Sequence, residues 1–360
     1  MSRVLFKVVS LWVQIRDMYL YLFKHAIIVN AWMDDHTWRG LNSRNWGDDI
    51  NYYFIKELTR RPVVSLFNFR LARKFKFKNF LCVGSLLGMT GYANENTVVW
   101  GAGSFGELKG VVPKQICSVR GKLTRDILIE KGIDCPKVFG DPALLLPLVY
   151  NPREMFKVQG SKFKDTSSFL SQREAIHETR NQTLGPKGRF QSVAGKEQET
   201  KRYRLGIIPH IDDLHHPVVK EIREKHADEI LIIDLALYSE WTNVIDQICS
   251  CECILSSSLH GLIVSDAYQV PSCWIELTGK ILGGHFKYYD YASSVGREFD
   301  KPYPVEKIED VTYLSDNAES HFSCADAEKI TELQQGLIET APFKLVIGRR
   351  KASQNHSKIE

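Results

Sequence analysis

No Cys-x-x-Cys pair occurs among the eight cysteines, Cys82, Cys117, Cys135, Cys249, Cys251, Cys253, Cys273 and Cys324, and no histidine stands at finger spacing from them. A structural zinc site therefore has no support. Most of these cysteines sit inside apolar, strand-like runs and not in a loop-rich framework, which predicts buried free thiols in a reducing compartment. In "CSCEC" the alternation puts Cys249, Cys251 and Cys253 on one side of a strand. Charge of one sign is also scarce in excess. The 47 basic and 43 acidic side chains leave +4, too little for a nucleic-acid footprint but suited to small anions or a membrane surface. The first 25 residues lack an apolar run of bilayer-spanning length, because Lys7, Arg16 and Asp17 interrupt it. No small-residue cleavage site follows, so a cytoplasmic protein is expected and not a secreted one. No internal repeat of fixed period is present.

What is there is a succession of short, nearly continuous apolar runs. A first group lies at 26–32, 80–85, 96–103 and 116–121, and a second at 204–210, 229–235, 251–258 and 272–277. Strands of this kind separated by helical spacing predict parallel sheets covered on both faces. Two groups predict an α/β protein of two Rossmann-like, doubly wound domains facing a cleft. The expected organisation is an extension over 1–25, a first domain over 26–152, a polar insertion over 153–203 and a second domain over 204–320. A C-terminal helix over 321–345, able to pack back on the first domain, and a solvated tail over 346–360 complete it. The aromatic-rich extension reads as a helix that either lies on a membrane interface or covers the protein's own core.

Several segments carry candidate chemistry. In "CECILSSSLHGLIVSDAY" His260 falls at the carboxyl end of a strand, where open parallel sheets bind ligands. Gly261 permits close approach, and Ser256, Ser257 and Ser258 offer hydroxyls beside an anion-binding helix start. In "NWGDDINYYFIKEL" Asn45 and Gly47 form a turn. One of Asp48 and Asp49 can cap the helix, leaving the other as a base or hydroxyl ligand. "WGAGSFG" matches G-x-G-x-x-G, but away from the first strand of its domain and before only a short helix. Gly101, Gly103 and Gly106 are thus a cleft-lining loop and not a dinucleotide fingerprint. Arg120 ends the strand of "ICSVRG" and can grip a carboxylate or phosphate. Asp141 in "VFGDPALLLP" caps the next helix or orients a partner. The glycine-rich "LTGKILGGHFKYYDYASSVGR" reads as a basic loop, with Lys280, His285, Lys287 and Arg297 for a phosphate and Tyr288 or Tyr291 for a sugar face. His210 closes "LGIIPH" at another strand end.

The ordered blocks "NWGDD", "WGAGS", "SVRGKLT", "GDPALLLP", "IIPH", "SSLHGLIVSDAY" and "FKYYDYASSVGR", over about 45–297, resemble the polysaccharide pyruvyl transferase family. Among its subgroups the exopolysaccharide ketal-pyruvate transferases are the nearest. The resemblance implies a glycosyltransferase-B-type fold. It further implies transfer of the pyruvyl group of phosphoenolpyruvate to a sugar, lipid-linked or free, as a cyclic ketal with release of phosphate. His260 becomes the general acid, with Asp48 and Asp49 beside it. Arg120 becomes a donor ligand, accompanied by Ser257, Ser258, Gly261, His210 and Lys287. Asn45, Gly47, Gly101, Gly103, Asp141 and Tyr291 would line the cleft. No metal or cofactor beyond the donor substrate is implied. Ser258 stands where many relatives carry arginine, so Lys287, His210 or the helix N-terminus has to replace that contact. The competing readings are a nucleotide-sugar glycosyltransferase and a non-catalytic scaffold of the same fold.

Overall fold

The computed structural model describes residues 3–33, 45–88, 93–108, 112–152 and 203–347, with side chains from Ser10 onward. Of the polar insertion expected over 153–203, all but Tyr203 lies outside these residues. The same holds for the tail beyond 347. Residues 1–150 and 202–360 form one compact unit.

The first part runs α1 (Arg3–Lys24), β1 (Ile27–Val29), α2 (Trp46–Thr59), β2 (Val63–Ser65), α3 (Arg70–Lys74), β3 (Asn79–Leu81), β4 (Thr97–Trp100), β5 (Gln115–Ser118) and α4 (Lys122–Glu130). A 3-10 turn over Pro142–Leu148 closes it. The second part runs β6 (Tyr203–Ile208), α5 (Pro217–Lys225), β7 (Ile230–Ile232), α6 (Trp241–Cys249), β8 (Cys251–Ser256), α7 (Leu259–Ala267), β9 (Ser272–Glu276), α8 (Phe286–Val295) and β10 (Tyr303–Pro304). Helices α9 (Ile308–Asp316), α10 (Ala318–His321) and α11 (Ala327–Glu339) follow.

The sheets have the orders β2-β1-β3-β4-β5 and β10-β9-β8-β6-β7, and every pairing is parallel. Being covered on both faces, the strands need no polar alternation, which is why they read as apolar strings. Strand order reverses between β1 and β3 in one sheet and between β6 and β8 in the other. At such points the connecting loops diverge and leave a crevice at the carboxyl strand ends. His210 follows β6 and Ser257 follows β8, so both lie at the second reversal.

Two strands escape a reading by apolar runs. Both β2 and β10 are sheet edges: β10 is two residues long, and β2 offers only Val63 and Val64 between Pro62 and Ser65. Cys249 ends α6 and does not belong to a strand. Six of the eight thiols are buried. Burial raises Cys251 to about 12 and Cys135 and Cys273 to about 11, far from nucleophilic thiolates.

One hydrophobic core runs through both sheets, from Val29, Trp46 and Trp100 to Ile254, Leu262 and Trp274. Helix α11 packs back on the first sheet. The Trp100 indole donates to the Leu337 carbonyl at 2.9 Å, and Gln334 donates to the Leu144 carbonyl at 2.7 Å. Near the end of α7, Asp266 accepts from Arg297 Nη1 at 3.0 and 3.2 Å, from Tyr291 at 2.8 Å and from the Ala325 amide at 2.9 Å. Removing the carboxylate strands a buried guanidinium. Asp266→Ala is therefore expected to cost about 3–5 kcal/mol of stability, read from urea denaturation.

Candidate functional site

The site grows from the start of α2. Asn45 is the N-cap: its Oδ1 accepts from the Gly47 amide at 3.2 Å, and its Nδ2 donates to Asp48 Oδ2 at 2.9 Å. The cap is thus an asparagine, and both aspartates lie in the first helical turn, where the helix dipole favours them. Gly47 is required by a close approach. A Cβ there would stand 2.1 Å from His260 Nδ1, so the imidazole from the second sheet rests directly on the backbone of α2.

His260 occupies the first turn of α7, immediately after β8. Its Nε2 is sealed from solvent and has no hydrogen-bond partner among the described residues. Ser258 is the N-cap of α7, yet its side chain makes no capping bond. Ser256 tightens the turn instead, accepting from the Ser258 amide at 3.1 Å and donating to its carbonyl at 2.8 Å. Gly261 serves this packing, because a Cβ would fall 2.3 Å from Ser256 Oγ. The Ser257 hydroxyl donates to Asp213 at 2.6 Å and accepts from the His210 amide at 2.9 Å. Thr278 holds the other oxygen of Asp213 at 2.5 Å. His210 Nδ1 in turn faces Asp212 at 3.3 Å.

Arg120 enters from the end of β5 and is fully buried. Its Nε and Nη2 both reach Asp290 Oδ2 on α8 at 3.0 Å. Nη1 donates to Ser85 at 2.6 Å, and Nη2 also donates to the Ser104 carbonyl at 3.2 Å. Thr124 completes the carboxylate, donating to Asp290 through its amide at 2.8 Å and its hydroxyl at 2.7 Å. Gly103 lies against the guanidinium, with a hypothetical Cβ 2.2 Å from Cζ. Lys287, on the first turn of α8, is 8% exposed. Its Nζ sits 5.4 Å from the Tyr288 ring centroid and makes no ion pair or hydrogen bond among the described residues.

The electrostatics follow from this crowding of cations where Arg120 and Lys287 are buried and Asp48, His210 and His260 are half-buried. Burial first, then Lys287, Arg120 and His210, push His260 down to about 3. Burial and then Lys287 lower His210. Lys287 is brought down to about 8 by burial and Arg120, against the opposing pull of Asp48, Asp212 and Asp213. Asp48 is raised to about 7 by burial and by Asp49, with Asn45 and Lys287 opposing. The site thus disfavours adding a proton to its histidine and favours an incoming anion.

The sequence profile of the family described as polysaccharide pyruvyl transferase matches residues 40–278, which takes in every one of these residues except Lys287, Tyr288 and Asp290. The chain belongs to the polysaccharide pyruvyl transferase family. A curated relative, "Uncharacterized protein L143" of Acanthamoeba polyphaga mimivirus, is 35% identical over 101 residues, covering 28% of this chain and 34% of the relative. The chain thus matches about a third of that relative's length. No solved structure matches.

Within this family member, several candidates stand elsewhere than the sequence suggested. Asp49 is buried and accepts from the Tyr238 hydroxyl at 2.6 Å, tying α2 to the segment after β7. Gly101, at φ +81°, packs against Pro142, its hypothetical Cβ 2.3 Å from the proline Cδ. No helix opens among the described residues 101–108. Asp141 caps the 3-10 turn through the Ala143 amide at 3.0 Å. Its buried Oδ2 has no hydrogen-bond partner among the described residues, and burial raises the carboxyl to about 6. The expected basic loop at 280–297 is mostly α8. Tyr291 is fully buried on Asp266, and Tyr288 donates to the Ser257 carbonyl at 2.7 Å while stacking on Trp274, so neither ring is free for a sugar face. Arg297 belongs to the Asp266 cluster. Asp290, Asp213, Thr278 and Ser85 were not singled out from the sequence. The one signal for Asp290 was a carboxylate among the aromatic residues of "KYYDY".

Among the described residues no three His, Cys, Asp or Glu side chains gather as a metal-binding group. Asp48 generates a stability prediction. Its folded value lies above its unfolded one, so the folded state keeps a proton that the unfolded chain releases between about pH 4 and 7. Stability contributed here is present at low pH and lost as pH rises through about 7. Asp48→Asn is expected to stabilise the protein by about 2 kcal/mol at pH 8, discounted for partial exposure, and by little at pH 4. Thermal melts at the two pH values check this.

Proposed function

We propose that the protein transfers the pyruvyl group of phosphoenolpyruvate to a sugar, forming a cyclic pyruvate ketal and releasing phosphate. The observation carrying this reading is the unpartnered, sealed Nε2 of His260 beside Arg120, Lys287 and His210. The donor is a small trianion whose carboxylate and phosphate suit that positive field. A glycosyltransferase-B-type arrangement of the two sheets, with a lipid-linked or soluble sugar acceptor, fits the same reading.

The chemistry balances as follows. His260 gives a proton to the methylene carbon of the donor, using the double-bond electrons to form the C–H bond. The adjoining carbon becomes cationic and is attacked by a sugar hydroxyl. Asp48 takes the hydroxyl proton. A second hydroxyl of the sugar then displaces phosphate, its proton leaving on the phosphate as the ketal closes, and the proton held by Asp48 returns to His260. A histidine at about 3 would be a poor proton reservoir at neutral pH. The donor's own charge works against this: an anion beside Lys287 and Arg120 offsets their repulsion of the imidazolium, and its attraction for the protonated ring counters part of the larger cost of burial. Lys287 supplies the positive charge that Ser258 lacks, and Asp290 holds Arg120 in position.

A non-catalytic member of the fold is the second reading, favoured by Arg120 spending both Nε and Nη2 on Asp290. Phosphorus NMR of the donor with protein and candidate sugars separates the two, since only the enzyme releases phosphate. His260→Ala is expected to lose about 10²- to 10⁴-fold in that rate, and an unchanged rate removes the assignment. Donor binding is also expected to take up protons, because it raises Lys287 from about 8 and His260 from about 3. Affinity should therefore fall as pH rises through about 8. Calorimetry in buffers of different ionisation enthalpy reads the uptake directly.

A further inference from the structure

Helix α1 is two-faced in an unusual sense. Its inner face covers the protein: Val13 is buried, and Met18, Leu20 and Tyr21 pack on the cluster of Ala26, Ile28, Val64, Leu66, Phe69 and Ala72. Its outer face is not polar. Between residues 11 and 23 every exposed position is apolar: Leu11 62%, Trp12 54%, Ile15 61%, Tyr19 50%, Leu22 54% and Phe23 67%. Spacings of three, four and seven put these side chains on one stripe. The one acid of the helix, Asp17, is buried against Arg16 at 2.7 Å, so no negative charge interrupts the stripe.

Beside it lies a basic rim. Residues 60–78 contain seven lysines and arginines and no acid. Gln14 of α1 clasps the turn into α3, donating to the Asn68 carbonyl at 2.6 Å and accepting from the Leu71 amide at 3.2 Å. Tyr21 stacks on Phe77 at 4.9 Å, and Phe77 lies 6.4 Å from Phe75, which is 59% exposed. Around Phe75 the side chains of Arg70, Arg73, Lys74 and Lys76 are exposed. Lys76 pairs with Glu95 at 2.8 Å, both in solvent.

We propose that the outer face of α1, with the basic segment 70–78 at its side, docks on an anionic phospholipid surface. The apolar stripe enters the headgroup boundary lying flat, with Trp12 and Tyr19 suited to that polar–apolar border. No helix among the described residues is long and apolar enough to cross a membrane, so the contact is peripheral. Arg70, Arg73 and Lys74 meet the lipid phosphates. Charge selects this occupant over a second copy of the chain, which would bring a second basic rim toward the first. The inference rests on α1 and α3 alone and stands whatever reaction His260 performs.

Co-sedimentation of the full chain with vesicles tests it. Binding is expected to vesicles of phosphatidylcholine mixed with phosphatidylglycerol, to be weak with phosphatidylcholine alone, and to fall as salt is added. The Trp12→Ser/Phe23→Ser and Arg73→Glu/Lys74→Glu pairs should each weaken it about ten-fold or more, with circular dichroism unchanged. These side chains are exposed, and the salt series on the unaltered protein stands even if a variant folds poorly. Absence of binding to mixed vesicles overturns the proposal. So does binding indifferent to salt and to both variants, or a dimer in sedimentation velocity that the Trp12→Ser/Phe23→Ser pair abolishes.

Discussion

The buried pair of Arg120 and Asp290 is the constraint around which the rest is arranged. It joins the end of a strand in the first sheet to the middle of a helix belonging to the second. Two ions out of water are costly unless their remaining valences are met. Here Thr124 gives the carboxylate two further hydrogen bonds, while Ser85 and the Ser104 carbonyl take two of the guanidinium's other three donors. The glycines around the pair follow from it. Gly103 gives room to the guanidinium, and Gly121 lets the Asp290 backbone come within 1.8 Å of where a Cβ would be. With α8 so fixed, Lys287 is carried to its buried position one turn earlier on the same helix.

From that anchoring comes the character of the site. Lys287 and Arg120 raise the local potential while His210 and His260 answer by staying neutral, and Asp48 is held near the point of half-ionisation. Each of these shifts has desolvation as its largest cause, so all of them express one fact: the carboxyl strand ends of the two sheets are pressed together closely enough to bury Lys287 and to leave Asp48, His210 and His260 only partly exposed. Gly47 against His260 is the tightest instance of that contact.

Much of the fold was legible because parallel strands covered on both faces leave continuous apolar strings, and eight of the ten strands announce themselves that way. The edge strands β2 and β10 do not, β10 having only two residues and β2 only two apolar ones. His260 and His210 were legible as strand-end residues, and Lys287 as a cation near them. Tyr288 and Tyr291 were misread because the glycines of 279–284 suggested that the loop continued, whereas α8 begins at Phe286. What they bury is visible only in three dimensions. Asp49 shows the same limit: two adjacent carboxylates look alike in a string of letters, and only packing sends one to Tyr238 and the other toward Lys287. Asp290 and Asp213 eluded a linear reading because their partners lie 170 and 44 residues away.

The main hydrophobic core, which runs through both sheets, has a consequence for how such a chain can change over time. Neither half could be exchanged for that of another protein as an independent module, since each would present an oily surface that only its present companion covers. Diversification is therefore confined to the connections at the strand ends, where side chains can vary while the shared interior stays as it is.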